Sequence, residues 1–444
     1  MDYNRIETKI PTLGESKIPS PLQKWRNATP ISRFVSEDDR ITIDVNVNNL
    51  CRTITAGKTI TSFELAGPRN KIYFDPIKLR CALVTCGGLC PGLNDIIRSI
   101  VLGLYYGYGV RHIYGIRYGL QGFIPSYGHD VMELKPDSVV NISKMGGSIL
   151  GSSRGPQAIE EIVDSLERMN IGVLFMIGGD GTLMAASKIA DNIAERGLKI
   201  SVVGIPKTID NDIHLVSQSF GFDTAVDVAT QAIKGAHNEA EGYPNGIGLI
   251  KLMGRHSGFI AATASLAQQD VNFVLIPEVD FDLEGPNGFL SALEKRLSLR
   301  RHAVIVAAEG AGQKFFKDNK KEFDESGNVR LKDIGLFLKE SITSYFKTRE
   351  IDIALKYIDP SYIIRSLPAN ANDRVFCSFL GRAAVHAGLA GKTKLLIGRW
   401  NNQFVHLPIS ASAGKRKQVN PTGNLWLNVL EATGQGSLQN EESL

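Results

Sequence analysis

Short apolar runs alternate with amphipathic stretches along most of this chain, and that alternation limits the folds it can adopt. The apolar runs have the length and composition of buried strands and cover residues 81–84, 112–114, 173–177, 201–205, 247–252, 273–276 and 303–307. Helical patterns occur at residues 159–169, 184–196, 225–240, 289–300 and 331–347, and a charged stretch at residues 314–330 predicts an exposed insertion. Alternating strands and helices build parallel sheets through right-handed crossovers. We therefore expect an α/β protein.

Two motifs follow two of the most apolar runs. GGDGT occupies residues 178–182, and PKTIDND occupies residues 206–212. Open α/β sheets bind their ligands outside the carboxyl ends of the strands. GGDGT offers bare backbone and one carboxylate, which suit a phosphate chain with its metal, while PKTIDND adds an ammonium and two carboxylates. Together the motifs indicate phosphoryl transfer.

Size and composition describe a soluble globular protein with ample core. The 444 residues are 43% hydrophobic and 22% charged, with a net charge of +4, and suffice for two large domains or three of ordinary size. Because no lysine and arginine block stands out, we expect no nucleic-acid partner. Because no apolar run reaches roughly 18 residues, we expect no membrane span. Residues 1–20 mix charges with Pro and Gly, which predicts no signal peptide and a cytoplasmic protein.

The cysteines, at positions 51, 81, 86, 90 and 377, carry little functional signal. Cys86 and Cys90 flank a glycine turn and raise the alternative of a metal site. A zinc site needs about four ligands, and no second Cys or His pair stands at a suitable spacing. We expect reduced, mostly buried thiols.

A glycine-rich turn at residues 85–94 follows the first strand of the alternation and leads into a helix at residues 95–104. Such a turn brings backbone N–H groups to a phosphate at a helix N-terminus, where the helix dipole favours negative charge. The turn matches neither the P-loop nor the dinucleotide fingerprint. Taken alone, it is equally compatible with a tight connection between a strand and a helix.

Asp180 and Thr182 give the GGDGT motif its chemistry. Asp180 is a candidate Mg²⁺ ligand, because Mg²⁺ binds carboxylates and bridges phosphate oxygens. Thr182 is expected to cap the following helix. The alternative is an Asp-Gly turn with a capping threonine. GGDGT also occurs in NAD kinases and diacylglycerol-type lipid kinases, so it indicates a phosphate-handling class and no single enzyme.

Several motifs in a fixed order point to one family. They are TCGGLCPGLN, GSILGSSRG, GGDGT, PKTIDND, KLMGRHSG, AAEG and PSYIIR. From about residue 79 to about residue 400, and again at residues 414–421, the chain resembles the 6-phosphofructokinases. Within that family it is similar to the long ATP-using branch that is related to the pyrophosphate-dependent enzymes. PKTIDND is the most discriminating of the motifs.

The resemblance implies two Rossmann-like three-layer domains with parallel sheets, plus an N-terminal extension. The implied division is residues 1–78 for the extension, 79–222 with about 366–410 for ATP and Mg²⁺, 223–365 for fructose 6-phosphate, and 411–444 for a C-terminal segment. Since the family shares its substrate site between subunits, the resemblance also implies a homodimer or homotetramer.

Phosphorylation of a sugar hydroxyl requires a group that accepts the proton as the oxygen attacks the γ-phosphate. In the family the aspartate of the TID triplet has this role, which makes Asp210 the general base, and Asp212 would support the metal or orient its neighbours. An Asx turn with Asn211 is the alternative interpretation of Asp210. Arg154 resembles the arginine that bridges the donor phosphates, although it could be only an exposed loop residue. Arg255 would lie toward the reacting centre.

The resemblance also assigns binding roles. ATP would contact Gly87, Arg154, Gly155, Gly179, Asp180, Gly181 and Thr182. The sugar phosphate would contact Thr208, Ile209, Asp210, Met253, Gly254, Arg255, Glu309, Lys356, Tyr362 and Arg365. Within this set, Glu309 would accept hydrogen bonds from sugar hydroxyls, while Tyr362 and Arg365 would hold the 6-phosphate.

A few positions depart from the family pattern. Tyr362 stands where many relatives have His, and Lys356 stands where they often have an arginine supplied by a neighbouring subunit. Gly246 stands where the shorter bacterial enzymes carry another cross-subunit arginine. That phosphate contact is left unassigned, and Lys251 is a candidate substitute.

Gly181 and Lys207 bear on the identity of the phosphoryl donor. Pyrophosphate users of the family carry Asp and Lys at these positions, and short bacterial ATP users carry Gly at both, so this chain mixes the patterns. A carboxylate at position 181 would repel the ATP α-phosphate by about 1 to 4 kcal/mol at about 4 Å. Glycine removes that repulsion, and Lys207 would stabilise charge on the transferring group. The pair therefore favours ATP.

We predict an enzyme that uses Mg²⁺ and ATP to phosphorylate fructose 6-phosphate at its 1-hydroxyl. Its catalytic residues would be Asp210, Arg154, Lys207 and Arg255. One alternative is a pyrophosphate-dependent phosphotransferase of the same fold. Another is a non-catalytic regulatory subunit or nucleotide sensor, since a fold can persist without its chemistry.

Overall fold

The structure is a computed structural model that describes residues 6–26, 34–316 and 329–440. The insertion predicted at residues 314–330 therefore lies for the most part outside the described residues. The chain divides into two compact units. The first unit takes its residues from Met1–Ile209, Ile213–Gly221 and Ser366–Arg416, and the second takes its residues from Asp210–Asp212, Phe222–Arg365 and Lys417–Leu444.

Strands and helices are numbered here along the described residues. The strands are β1 (Ile18–Pro19), β2 (Arg40–Thr42), β3 (Ser62–Leu65), β4 (Lys71–Ile72), β5 (Arg80–Thr85), β6 (His112–Ile116), β7 (Val131–Glu133), β8 (Val173–Gly178), β9 (Ser201–Pro206), β10 (Gly246–Leu252), β11 (Phe273–Leu275), β12 (His302–Ala308), β13 (Ala354–Ile358), β14 (Leu395–Trp400) and β15 (Gln403–Pro408). The α-helices are α1 (Gln23–Arg26), α2 (Val47–Thr55), α3 (Leu93–Leu102), α4 (Ile159–Arg168), α5 (Asp180–Glu195), α6 (Phe222–Glu241), α7 (Phe259–Gln268), α8 (Phe289–Arg300), α9 (Ile334–Thr348), α10 (Ser361–Ser366), α11 (Ala371–Leu389), α12 (Ile409–Ser412) and α13 (Asn424–Thr433). Every helix within the described ranges is too short or too polar to cross a membrane.

Among the described residues, nine strands form the sheet of the first unit, in the order β2-β3-β15-β14-β9-β8-β5-β6-β7. The central strands from β14 to β6 run parallel, and antiparallel strands extend the sheet at both edges. β8 is buried along its whole length because helices cover both of its faces. Helices α4 and α5 pack with Leu174 and Met176 on one face. Gly388 of α11 approaches Val173 on the other face, at a distance that leaves no room for a side chain.

The sheet of the second unit is parallel throughout its described strands, in the order β11-β12-β10-β13. Helices α8 and α9 pack with Leu249 and Ile305 on one face. Helix α6 covers the other face, where Gly248 lies directly against Ala236. Each unit is therefore a three-layer α/β structure of the Rossmann-like type, as the sequence predicts.

The strands predicted from the apolar runs are confirmed, each within two residues of its predicted ends. The predicted helices are also present, although several begin at other residues. Helix α5 begins at Asp180, inside the GGDGT motif, because Gly179 serves as its N-cap. Helix α9 begins at Ile334 because the side chain of Asp333 accepts a hydrogen bond from the N–H of Leu336.

A buried group of charged residues joins the N-terminal part of the chain to the rest of the first unit. Glu64 of β3 is 3% exposed, and its Oε1 lies 2.5 Å from Nη2 of Arg69, 3.2 Å from Nζ of Lys392 and 3.0 Å from Nδ1 of His406. We call these four residues the Glu64 cluster. Burial by itself raises the pKa of Glu64, but the hydrogen bond with His406 and the charges of Lys392 and Arg69 hold it well below its ordinary value.

Candidate active site

Three neighbouring strands of the first unit end in the turns that were predicted to bind phosphate. β5, β8 and β9 are parallel neighbours, with Thr85 opposite Ile177 and Gly178 opposite Pro206. Because their carboxyl ends share one edge of the sheet, the turns that follow them lie side by side. We call residues 86–88, 151–155, 179–182 and 207 the glycine-turn cluster.

Lys207 places its ammonium inside the first glycine turn. The residue is only 7% exposed, and its Nζ donates a hydrogen bond of 2.6 Å to the carbonyl oxygen of Gly88. The ammonium also lies 3.5 Å from the position that a Cβ would occupy on Gly87, a residue with a φ of +80°. A cation is thus fixed beside backbone in a conformation that favours glycine, an arrangement that suits phosphate oxygens.

Arg154 lies against the same turn from the loop at residues 151–155. Oγ of Ser152 donates a hydrogen bond of 2.7 Å to the carbonyl oxygen of Gly87, and the N–H of Gly87 donates one of 3.1 Å to the carbonyl oxygen of Ser153. These bonds hold the loop so that Nη2 of Arg154 lies 3.8 Å from the position of a Cβ on Gly88. Arg154 is exposed, so its guanidinium is open to a bidentate anion.

The N-terminus of α5 presents Asp180 and Gly181. Gly179 is the N-cap and Asp180 the first helical residue, so N–H groups of the first turn face outward from the helix end. Oδ1 of Asp180 accepts a hydrogen bond of 2.7 Å from the N–H of Gly414. Gly181 is exposed, and a Cβ on it would meet no other atom within 4 Å. This helix end therefore has room for a ligand or for a side chain.

The prediction that Thr182 caps α5 is wrong. The helix begins two residues earlier, and Gly179 has no side chain with which to cap it. Thr182 is 9% exposed, and its side chain lies close enough to Cys86 to oppose the rise that burial causes in the pKa of that thiol. Thr182 therefore connects α5 to the first glycine turn.

Gly155, another predicted ATP contact, lies in the loop beside Arg154 with a φ of +87°.

The second unit brings several of its predicted residues together at the carboxyl edge of its sheet. β10 and β12 are parallel neighbours that end opposite each other at Leu252 and Ala308. The segment 253–255 and Glu309 therefore leave adjacent strand ends, and the N–H of Glu309 donates a hydrogen bond of 2.9 Å to the carbonyl oxygen of Leu252. Gly254 has a φ of +134°, and a Cβ on it would lie 2.5 Å from a backbone carbonyl oxygen. Glycine is required at this position.

Asp210 lies among charged side chains of the second unit. The backbone N–H of Arg255 donates a hydrogen bond to its carboxylate. Loss of hydration and the negative charges of Asp212 and Glu309 raise the pKa of Asp210 to about 7, and the charge of Arg255 partly opposes the rise. We call Asp210, Asp212, Glu309 and Arg255 the carboxylate cluster. A carboxyl group with a pKa near neutrality is well matched to the work of a general base.

Lys251 is engaged by two carboxylates. Its Nζ lies 2.7 Å from Oδ2 of Asp333 and 2.9 Å from Oδ2 of Asp359. Burial lowers the pKa of Lys251, but the hydrogen bonds to Asp333 and Asp359 outweigh burial and raise it above its ordinary value. Since these carboxylates already balance the ammonium, Lys251 is a poor substitute for the arginine that some relatives carry at the position of Gly246.

Glu309 is also affected by its surroundings. Burial raises the pKa of Glu309, and the charges of Arg255 and Lys251 oppose that rise.

Tyr362 and Arg365 lie together on α10, shortly after the end of β13. The guanidinium of Arg365 is 4.4 Å from the centroid of the Tyr362 ring, and Tyr362 is 73% exposed. β13 pairs with β10, so α10 begins near the edge that carries the carboxylate cluster. The charge of Arg365 acts on Glu309 from there.

Lys356 does not join this group. It lies opposite Gly248 in the middle of β13, four residues before the end of β10, and its Nζ is 5.3 Å from the centroid of the Tyr243 ring. Thr208 and Ile209 belong to the first unit. Ile209 is 5% exposed, and the carbonyl oxygen of Thr208 accepts a hydrogen bond of 2.6 Å from Oγ of Ser219.

Gly246 has no room for a side chain. A Cβ built on it collides with the carbonyl oxygen of Ala240 in the last turn of α6. Gly246 is also the first residue of β10, so the helix and the strand meet at this point. The close approach of the helix end explains why this position holds glycine.

Lys417 is a residue of the site region that the sequence did not reveal. Its N–H donates a hydrogen bond of 2.7 Å to the carbonyl oxygen of Asp212, and its Nζ lies 5.0 Å from the centroid of the Phe259 ring. Burial lowers the pKa of Lys417 to about 8, and the charge of Asp212 opposes that change. The family resemblance at residues 414–421 was the only sign of this segment in the sequence, and it assigned Lys417 no role.

Parallel sheets with glycine turns and cations at their carboxyl edges are typical of α/β proteins that bind phosphates. Residues 80–388 match the phosphofructokinase family, and the chain belongs to this family. It is 53% identical to the ATP-dependent 6-phosphofructokinase of Borreliella burgdorferi over 438 residues, 97% of each chain. It is 45% identical to the ATP-dependent 6-phosphofructokinase of Amycolatopsis methanolica, over 98% of this chain and 96% of that one.

A solved structure shares the fold. The pyrophosphate-dependent phosphofructokinase of Marinobacter aquaeolei superimposes with a TM-score of 0.65, at 20% identity, over 82% of this chain and 92% of that one. At this level of identity the likeness concerns the architecture alone. The fold therefore leaves the donor to be argued from individual residues.

Proposed function

We propose that this protein transfers the γ-phosphoryl group of ATP to the 1-hydroxyl of D-fructose 6-phosphate, giving fructose 1,6-bisphosphate and ADP, a step of glycolysis. The relatives named as ATP-dependent 6-phosphofructokinases support the proposal, because they match this chain over nearly its whole length. The observation that carries it is the environment of Asp210, whose pKa of about 7 suits a proton acceptor. A non-catalytic regulatory subunit would not need a carboxyl group that accepts a proton near neutral pH.

Asp210 is proposed as the general base. The 1-hydroxyl of the sugar gives its proton to the Asp210 carboxylate as its oxygen attacks the γ-phosphorus, and the bond from that phosphorus to the β,γ-bridging oxygen breaks. Loss of hydration, together with the charges of Asp212 and Glu309, keeps the pKa of Asp210 high enough for this transfer. Arg255, which donates its N–H to the same carboxylate, fixes the orientation of Asp210.

The first unit is proposed to bind the nucleotide. The contacts would come from Gly87, Arg154, Gly155, Gly179, Asp180, Gly181 and Thr182. Lys207 and Arg154 flank the first glycine turn, so two positive charges are fixed where negative charge grows during transfer. Gly181 leaves space at the end of α5 and adds no second carboxylate beside the nucleotide, which favours ATP over pyrophosphate as donor.

Asp180 fits the role of a Mg²⁺ ligand. Its Oδ1 accepts the N–H of Gly414, and its Oδ2 takes no hydrogen bond within the described part of the chain, so one carboxylate oxygen remains for a cation. When bound, Mg²⁺ neutralises charge on the donor phosphates. Asp180 would hold the ion and keep it at the N-terminus of α5.

The second unit is proposed to bind the sugar phosphate. Glu309 would accept hydrogen bonds from sugar hydroxyls next to Met253, Gly254 and Arg255, and Tyr362 with Arg365 would hold the 6-phosphate. Thr208 and Ile209 complete the proposed contacts. Lys356 lies away from the carboxylate cluster of its own chain, which supports its proposed use by a neighbouring subunit in a homodimer or homotetramer. We also place this activity in the cytoplasm.

A coupled assay with fructose 6-phosphate tests the proposal, with ATP or pyrophosphate as donor and Mg²⁺ present. We expect turnover with ATP and at most a trace with pyrophosphate. A preference for pyrophosphate would establish the alternative phosphotransferase. Absence of turnover with both donors, in a sample that still binds ATP, would favour a nucleotide sensor.

A further inference from the structure

Two histidines and a glutamate converge at the amino end of β12, at the opposite edge of the second sheet from the carboxylate cluster. His237, Glu241 and His302 offer ligand atoms that all lie within 4.8 Å of one another. We propose that these three residues bind a divalent transition metal ion, for which Zn²⁺ is the best match. This inference is independent of the proposed kinase reaction.

His237 and Glu241 come from one face of a helix. They stand four residues apart at the end of α6, a spacing that places side chains side by side. Nε2 of His237 lies 3.5 Å from Oε2 of Glu241, longer than a good hydrogen bond. The histidine side chain is 18% exposed and the glutamate 55% exposed, so the pair lies at the surface and an ion has direct access to it.

His302 is oriented in the way that metal-binding histidines are. Its Nδ1 lies 3.1 Å from the carbonyl oxygen of Arg300. Since a carbonyl oxygen only accepts, Nδ1 must carry the proton, and Nε2 then presents its lone pair. A backbone carbonyl that fixes the tautomer through the remote nitrogen is a typical outer partner of a histidine ligand.

One nitrogen of the His237 ring lacks a hydrogen-bond partner within the described residues. This nitrogen is Nδ1, and it is buried. The centroids of the His237 and His302 rings lie 5.4 Å apart at an interplanar angle of 73°, so both rings border the same space. Nε2, the ring nitrogen that lies 3.5 Å from Glu241, is the one that would bind the ion.

The donor set selects the ion. Two imidazoles with one carboxylate are a known zinc set, which leaves a fourth position for water. Mg²⁺ and Ca²⁺ prefer oxygen ligands throughout. Ligands bound to zinc at about 2.0 to 2.2 Å lie about 3.3 to 3.6 Å apart in a tetrahedron. The His237–Glu241 separation of 3.5 Å already lies within this range, and the side chain of His302 needs only a small adjustment.

Zinc binding would join the last turn of α6 to the first residue of β12. Helix α6 packs against β12, so the ion would link the two elements at one end of that contact. Because the ligands must be deprotonated, acid should release the ion. Zinc should therefore raise the thermal midpoint of unfolding at neutral pH and have a smaller effect in mild acid.

The test uses the full chain with Cys51→Ser, because Cys51 is an exposed thiol that could bind zinc by itself. After treatment with a chelator, Zn²⁺ is titrated in excess Mg²⁺ against a colorimetric chelator, and Co²⁺ serves as a spectroscopic probe of tetrahedral coordination. We expect one equivalent of Zn²⁺. His237→Gln and His302→Gln should each weaken its binding by at least about tenfold. His112→Gln, at an exposed histidine that also begins a strand, should have no effect.

Circular dichroism and a cooperative thermal transition verify that each variant is folded, whether or not the proposed kinase reaction holds. If a histidine variant fails to fold, Glu241→Gln at the exposed helix end replaces it and should also weaken binding. Equal zinc affinity in the starting protein and in the folded ligand variants would overturn the proposal. So would the absence of stoichiometric zinc binding by the starting protein.

Discussion

The ammonium of Lys207 donates a hydrogen bond of 2.6 Å to the carbonyl oxygen of Gly88. This bond joins the PKTIDND segment to the first glycine turn, although 119 residues separate the two in the sequence. It fixes a positive charge beside the backbone of that turn, where we propose that the donor phosphates bind.

Replacement of Lys207 by Met should lower kcat by about 100-fold, because it removes a fixed charge from the position where we propose that the phosphoryl group is transferred. The KM for fructose 6-phosphate should change little. Steady-state kinetics with ATP measure both constants. Lys188→Met, at an exposed lysine of α5, is the control and should retain full activity. A Lys207→Met enzyme with normal kcat would exclude Lys207 from catalysis.

Gly181→Asp should weaken the use of ATP by a factor between several-fold and about a thousandfold, the range expected for one added negative charge beside a phosphate. The structure makes this a test of charge, because a Cβ at position 181 meets nothing within 4 Å. Gly181→Asn, of nearly the same size and without charge, is the matched control. The KM for ATP should rise far more in the Asp variant than in the Asn variant, and equal effects would refute the argument from charge.

Asp210→Asn should lower kcat by about 100- to 10,000-fold while ATP binding survives. The same change should stabilise the fold above neutral pH. The folded-state pKa of Asp210 is raised to about 7 from an ordinary value of 3.8, so its contribution to stability declines as pH rises between these values. Turnover and thermal unfolding at pH 8 measure the two effects. Wild-type turnover would remove Asp210 as the base, and unchanged stability would show that its burial carries no cost.

Activity should fall by about tenfold per pH unit below about pH 7, because Asp210, as the proposed base, can accept a proton only when it is ionised. Lys417→Met should shift this acid limb to higher pH. Removing a positive charge beside Asp212 makes the carboxylate cluster bind its protons more tightly. The dependence of kcat on pH measures the shift. Lys417→Arg should keep the wild-type profile. A Met variant with that same profile would show that the charge of Lys417 has no effect on the catalytic carboxylates and that its role is structural.

Glu64→Gln should reduce the free energy of unfolding by about 3 to 5 kcal/mol, because it removes the buried counter-charge of Arg69 and Lys392 and leaves them, within the described residues, only the exposed Glu37. Since the pKa of Glu64 is depressed, its stabilising effect is present above pH 4.5, its ordinary value, and is lost as pH falls below it. Urea unfolding at neutral and acidic pH measures both effects. Glu37→Gln, which removes a 66% exposed partner of Lys392, should cost less than about 1 kcal/mol. Equal losses in the two variants would contradict this account.

Seven of the described strands could be predicted because each of them is a short apolar run. β8 is an example, since it is buried on both faces and is therefore apolar along its whole length. Helix α11 escaped prediction for a related reason. It is buried on most sides, with no clear polar face from Phe376 to Leu389, so it lacks the stripe that marks a helix. The Glu64 cluster could not be foreseen, because Glu64 and His406 meet only through the pairing of β3 with β15.

The sequence reveals a candidate site residue when the residue lies within a motif. It does not reveal one whose position depends on a partner far away in the chain. Asp210 stands inside a dense motif, whereas Lys417 gains its position from a backbone bond to Asp212 far away in the chain. The error at Thr182 has a similar origin. A threonine after an Asp-Gly pair is a good capping residue, but the helix had already begun at Asp180.

The contact between Gly246 and the end of α6 constrains how this sequence can evolve. Any side chain at position 246 meets the carbonyl oxygen of Ala240 before it can reach a ligand. A lineage could therefore gain an arginine there only after another mutation had shortened or displaced the last turn of the helix. The order of the two changes is fixed, and the helix end has to change first.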